Sequence, residues 1–160
     1  MRFTVLLVLA SVFVDANASA ACLLGDYSVP AEYLRSDAVL IGRVLSEHAV
    51  PDPEDPQSFA ATIYSIRIEE SFRGSHRGTI ELYSENTSGR FPMDKGQKYL
   101  LFVYRQQGRL SADYCGNSGL LAEKAEVITH VRQFAKQHDR AQKPNRTAEP
   151  DAQKATRGSP

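Results

Sequence analysis

The sequence predicts a small, mainly β domain closed into a barrel, with one helix packed on it near the C-terminus. Three observations carry this. Short apolar segments, alternating or continuous, recur at roughly even spacing between turn residues. Gly42 interrupts the first of them, as where a strand bends or bulges. Leu121, Ile128, Val131 and Ala135 form one apolar stripe at helical spacing. The 160 residues, with 42% apolar, 24% charged, 10 Gly and 8 Pro, fit a globular domain rather than collagen, coiled coil or bulk disorder.

Residues 1–21 read as an export signal. Met1 and Arg2 precede an apolar run of 12 residues, Phe3 to Val14, broken only by Thr4 and Ser11. A membrane span needs about 20. Small residues follow in Ala16-Asn17-Ala18-Ser19-Ala20-Ala21, as a signal peptidase requires. Three cleavage readings stay open. Ala18 and Ala20 leave Ala21 as the first residue, and Ser19 and Ala21 leave Cys22. Ser19-Ala20-Ala21-Cys22 read as a bacterial lipobox would make Cys22 a lipid anchor, although serine is a poor first residue there. Each reading delivers the domain to a secreted or periplasmic location.

Export gives the two cysteines their meaning. Too few for a four-cysteine metal cage, Cys22 and Cys115 pair in an oxidising compartment. The closed loop of about 90 residues gives roughly 4 kcal/mol on the chain-entropy model.

Along the mature chain, Pro30 to Arg35 predicts a short helical turn with proline at its start. Ala38 to Leu45 predicts the first strand. Val50 to Gln57, with three prolines among Asp52, Glu54 and Asp55, predicts an exposed acidic loop. In the second strand Thr62, Tyr64, Ile66, Ile68 and Phe72 share one face. Thr79 to Ser84 alternates again, with Ile80 and Leu82 inward. Tyr99 to Tyr104 is continuously apolar, which requires cover on both faces. Arg109 to Ala112 is a short fifth strand. Ser118 is the expected cap of a helix from about Leu121 to Gln137. Five strands of this kind suggest a five-stranded Greek-key OB barrel, with residues 139–160 as a disordered tail.

Net charge is zero over the chain, 19 basic against 19 acidic residues. The domain, 22–138, holds 13 basic and 15 acidic residues and is net −2; the tail is +2. No global field recommends nucleic acid or an anionic membrane.

Several blocks now form a pattern: Cys22; Tyr33; Ser36-Asp37-Ala38-Val39-Leu40-Ile41-Gly42-Arg43-Val44; Phe72-Arg73-Gly74; Gly96-Gln97-Lys98-Tyr99-Leu100-Leu101-Phe102; and Tyr114-Cys115-Gly116. Over about residues 22 to 137 the chain resembles the bacterial branch of the netrin-like superfamily, which is similar to the tissue inhibitors of metalloproteinases. The resemblance implies an OB-like barrel with its N-terminus tied to the body by the Cys22–Cys115 disulfide. In the animal inhibitors the first residue is a cysteine whose α-amino group and carbonyl oxygen chelate the target zinc. Here that role falls to Cys22, followed by Leu23-Leu24 rather than by the Cys-x-Cys start of those inhibitors.

Other constellations have plain readings. His48, His76, His130 and His138 lack ligand spacing. Asp52, Glu54 and Asp55 lack the glycine turn of a calcium loop. No nucleophile elbow accompanies the serines. Tyr83 with Arg67, Arg73 and Arg77 could bind an oligonucleotide or oligosaccharide on an OB surface, but an exported, net-negative domain argues for no nucleic acid. The expectation is a monomeric, non-enzymatic binding domain with no cofactor and no metal of its own. Its protein partner, a metalloprotease if the resemblance extends to function, meets the edge formed by Cys22, Leu23 and Leu24.

Overall fold

In the computed structural model, residues 25–142 are described. The signal peptide, the edge Cys22 to Leu24 and residues 143–160 lie outside them. Helix α1 spans Val29–Arg35, with Pro30 in its first turn. The strands are β1 Ala38–Pro51, β2 Phe59–Arg73, β3 Thr79–Glu85, β4 Lys98–Gln106, β5 Arg109–Ala112 and β6 Gly119–Leu120. A 3-10 turn at Leu121–Glu123 leads into helix α2, Ala125–Gln142.

The chain is mainly β, a six-stranded antiparallel sheet with a C-terminal helix. Strand order is β3-β2-β1-β4-β5, with β6 paired to β4 beside the main path. The strand count is therefore six rather than five, because two residues just before the 3-10 turn add to β4 at Tyr99 and Leu100. The edge strands β3 and β5 curl towards one another, and the Arg109 guanidinium lies 4.2 Å over the Tyr83 ring. No ladder joins them, so the sheet is open where a closed barrel was expected. β5 has only four residues before the chain leaves the sheet, too few to zip along β3.

Burial on both faces defines the two middle strands. Leu40 and Val44 of β1 and Leu101 and Val103 of β4 join Tyr64, Ile66 and Leu82 in one cluster inside the curled sheet. Val39 and Ile41 with Leu100 and Phe102 face outward and meet Tyr33, Ile128, Val131 and Ala135 in a second cluster under α1 and α2. The two helices are the cover that the continuous apolar run of β4 requires. Phe91 and Met93, from the β3–β4 loop, plug the inner cluster. Buried Ser84 holds that loop, its Oγ accepting the Phe91 N–H at 3.2 Å.

Bulges set the curvature. In the β1–β2 ladder Ile41 opposes Glu70 and Gly42 opposes Ile68, which leaves Glu69 as an extra residue. The period-two count slips by one there. Phe72 thus packs on the outer, helical cluster instead of sharing a face with Tyr64 and Ile66. Three further boundaries shift. β1 runs on to Pro51, pairing with β2 alone beyond Arg43. α2 reaches Gln142, past the residue 139 at which a disordered tail was expected. Ser118 does not cap α2: its buried Oγ accepts the Phe102 N–H at 2.9 Å, and the helix begins seven residues later.

Gly42 is required by close approach, since a Cβ there would overlap Ile66 Cγ2. Gly42→Ala should lower stability by about 1–3 kcal/mol through overpacking. Urea unfolding followed by circular dichroism checks this, with the native spectrum unchanged.

Candidate functional site

The expected partner edge, Cys22, Leu23 and Leu24, lies outside the described residues. What the structure describes is a base formed by the residues next to that edge in sequence and the loop of Cys115. Two segments build it: the N-terminal stretch from Gly25 through α1, and the loop 113–118 that carries Cys115. Among the described residues no cysteine is free.

One buried carboxylate fastens the two together. Glu32, on the inward face of α1, is fully buried. Its Oε1 accepts the Tyr104 hydroxyl of β4 at 2.7 Å. Its Oε2 accepts the Asn117 backbone N–H at 2.8 Å and the Asn117 side-chain amide at 2.5 Å. That amide also donates to the Tyr27 carbonyl at 2.7 Å. Gly116 lies so close that a Cβ would overlap Glu32 Oε1. Burial, then the bond to Glu32, pushes the Tyr104 hydroxyl up to about 12. Arg35, one turn along α1, donates to the Asp26 carbonyl at 2.5 Å and stacks 5.2 Å over Tyr27.

A second tie closes the other end of α1. Arg73, at the end of β2, donates from Nε to the Ser36 carbonyl at 2.8 Å and from NH2 to the Leu34 carbonyl at 3.0 Å. These are carbonyls that a helix end leaves without partners. Tyr33 donates its hydroxyl to the Phe72 carbonyl at 2.6 Å. Asp37 Oδ2 receives His76 Nε2 and Arg105 NH2, each at 3.1 Å. His76 first, with Arg105, holds the Asp37 carboxyl below its ordinary value. Tyr33, Asp37 and Arg73, scattered over the sequence blocks, thus meet at one corner.

Beside this base runs a cleft of about 860 Å³, across the seam between β3 and β5. Gly25, Tyr27 and Arg35 form one wall, and the loop after β3 with Arg90 forms another. Its floor carries Tyr83 and Arg109. None of its three arginines was singled out from the sequence.

The oligonucleotide patch is not assembled as expected. Arg73 is committed to α1, Arg77 donates to its neighbour's carbonyl at 2.8 Å, and Arg67 sits opposite Thr79 at the far end of β3 from Tyr83. The histidines are spread over β1, the β2–β3 turn and α2. Among the described residues no group of three or more His, Cys, Asp or Glu could hold a metal ion. In the acidic loop, Asp52 and Asp55 turn back to accept the backbone N–H groups of Glu54 and Gln57 at 2.9 and 3.0 Å. No helix among the described residues is long and apolar enough to cross a membrane.

Glu32→Ala leaves three donors without this acceptor and should cost about 1–3 kcal/mol for each that stays buried and unpaired, read from urea unfolding. Tyr104 gives a pH signature. Its folded-state value is raised, so its contribution is complete below its ordinary value of 10.0 and disappears as pH rises towards about 12. Tyr104→Phe should flatten that alkaline slope in denaturant midpoints measured from pH 8 upward. Compared with known proteins, the chain matches no family model and no curated protein.

Proposed function

We propose that this chain is an exported, non-enzymatic binding domain of the OB type, akin to the netrin-like and TIMP-like domains, that docks a protein partner. The strand order β3-β2-β1-β4-β5, with β3 and β5 brought face to face, supports the barrel. That order is compatible with a five-stranded Greek-key barrel whose seam stays open. The added β6 and the helical cover do not interrupt that path.

The observation that carries the binding role is the Glu32 anchor. It fixes α1, the Tyr27 carbonyl and the Cys115 loop to one strand. A Cys22–Cys115 disulfide adds a covalent tie to the same loop. Cys22, Leu23 and Leu24, which directly precede this preorganised base in sequence, would then dock at a lower ordering cost. Two leucines at an edge suit a protein surface better than a small polar ligand.

The test is affinity capture from the native extracytoplasmic fraction, using the mature chain and its Leu23→Asp, Leu24→Asp double variant. A protein partner captured by the first and lost by the second is the expected result. Equal capture by both, or recovery of a glycan or envelope component alone, overturns the reading. Intact mass of the secreted protein decides the partner class. A metalloprotease target requires an unblocked Cys22 at the N-terminus; a chain starting at Ala21, or an acylated Cys22, removes the chelating amine.

A further inference from the structure

The loop that carries Cys115 is held in place by contacts in which no sulfur takes part. Cys115 itself is half-buried and disulfide-bonded, and Cys22 is the other cysteine of the sequence. Before it, Asp113 Oδ1 accepts the Cys115 N–H at 2.9 Å. After it, Asn117 gives its backbone N–H and its side-chain amide to Glu32, and the same amide reaches the Tyr27 carbonyl at 2.7 Å. Ser118 follows at once, buried, with its Oγ on the Phe102 N–H. The N-terminal stretch is fixed in the same manner. Asp26 Oδ1 accepts the Ser28 N–H at 2.9 Å, and Arg35 holds the Asp26 carbonyl.

These contacts shorten the stretch of chain over which two thiols must find one another. Cys22 and Cys115 are 93 positions apart, but Cys22 lies five positions before Tyr27 and Cys115 two before Asn117. With Asn117 on the Tyr27 carbonyl, the loop left to close has only about eight links. Loop closure scales with the 3/2 power of length, so encounter becomes roughly 40-fold more frequent than in the open chain. The donors to Glu32 come from Tyr104 and Asn117, so the carboxylate is satisfied in the thiol form as well. The coupling is reciprocal: whatever factor the contacts lend the bridge, the bridge lends the contacts.

We propose that the Glu32–Asn117–Tyr27 contacts position the thiols of a Cys22–Cys115 bridge, which makes that bridge a reversible tether. The reduced domain keeps its base, and reduction cuts the covalent tie of Cys22 without dismantling it. In the forward direction one cysteine thiolate attacks a small-molecule disulfide, oxidised glutathione, and one glutathione leaves. The second cysteine thiolate displaces the other glutathione from the mixed disulfide. Two electrons and two protons thus pass from the cysteine pair to two glutathione thiols. Asn117 is a positioning residue here, and the sulfur atoms alone carry the chemistry. The inference goes beyond the docking reading and is measured without a partner, so either can fail alone.

The experiment equilibrates the mature chain in glutathione redox buffers and counts free thiols by alkylation and intact mass. The glutathione ratio at half-oxidation gives the effective concentration of the cysteine pair. Asn117→Ala removes the side-chain donor but keeps the backbone N–H, and should lower that concentration at least about fivefold, a share of the loop-closure gain. Gly42→Ala weakens the sheet away from this loop and should leave it unchanged. If Asn117→Ala fails to fold, Tyr104→Phe, which removes one donor to Glu32, should lower it too. In the Cys22→Ser, Cys115→Ser variant, the Asn117 backbone amide should stay protected from hydrogen exchange. Equal effective concentrations in the unaltered chain and in the folded Asn117→Ala or Tyr104→Phe variant overturn the proposal. So does an equal fall in Gly42→Ala, loss of Asn117 protection without the cysteines, or peptide mapping that finds either cysteine bridged between chains.

Discussion

The Glu32 carboxylate is the constraint on which the N-terminal half of the site depends. A carboxylate taken fully out of water costs several kcal/mol unless donors replace its hydration. Here three donors do so, and they come from residues 72 and 85 positions away in sequence. None of them belongs to a regular ladder between neighbouring strands. Satisfying Glu32 therefore forces α1, β4 and the 113–118 loop into one arrangement. Because Asn117 reaches on to the Tyr27 carbonyl, the stretch that follows the leucine edge is fixed as well. A helix of seven residues has little stability of its own. What holds it is this carboxylate at its centre, Tyr33 buried in the outer cluster and Arg73 at its end.

The sheet supplies the second condition. A strand buried on both faces sends alternate residues to different clusters, so β1 and β4 belong to two cores at once. That much was legible, because a continuous apolar run such as Tyr99 to Tyr104 has no other stable use. The strands themselves, the turn at Gln107-Gly108 and the stripe on α2 were also readable, each from a local period. The parity slip at Glu69 was not. A bulge adds one residue without altering the local composition, so Phe72 reads as a continuation of the Tyr64–Ile66 face until the partner strand is seen. Ser118 failed for a related reason. A serine before a helix reads as a cap, and only the arrival of the Phe102 N–H shows that its oxygen serves the sheet.

The site was legible as a pattern but not as chemistry. Tyr33, Ser36-Asp37 and Phe72-Arg73-Gly74 stand out along the chain, and in space they converge on the C-terminal end of α1. Their roles are to seal a helix end and to exchange one or two hydrogen bonds each. Glu32 gave no signal. An acidic residue in a first helical turn is the ordinary outcome of the helix dipole, and burial is decided by partners far along the chain. Asn117 lies just beyond Tyr114-Cys115-Gly116, which drew notice for its cysteine alone.

Arginine on an aromatic ring recurs through the described residues, and what each guanidinium does with its edge separates two uses. Arg73 over Tyr33 and Arg132 over Phe72 commit their donors within the chain, to the carbonyls ending α1 and to the partly exposed Glu70 at 2.8 Å. They bind helices to the sheet. Arg90 and Arg109 rest on Phe59 and Tyr83, with no hydrogen bond from their side chains among the described residues, and both line the seam. The first pair closes the outer face, where α1 and α2 supply what β1 and β4 need. The second pair stands where the sheet stops short of closure and the strand edges stay unpaired. Stacking there orders two long side chains. An unfinished seam and preorganised cations are thus parts of one feature: four residues of β5 end the ladder early, and the opening they leave holds the charge.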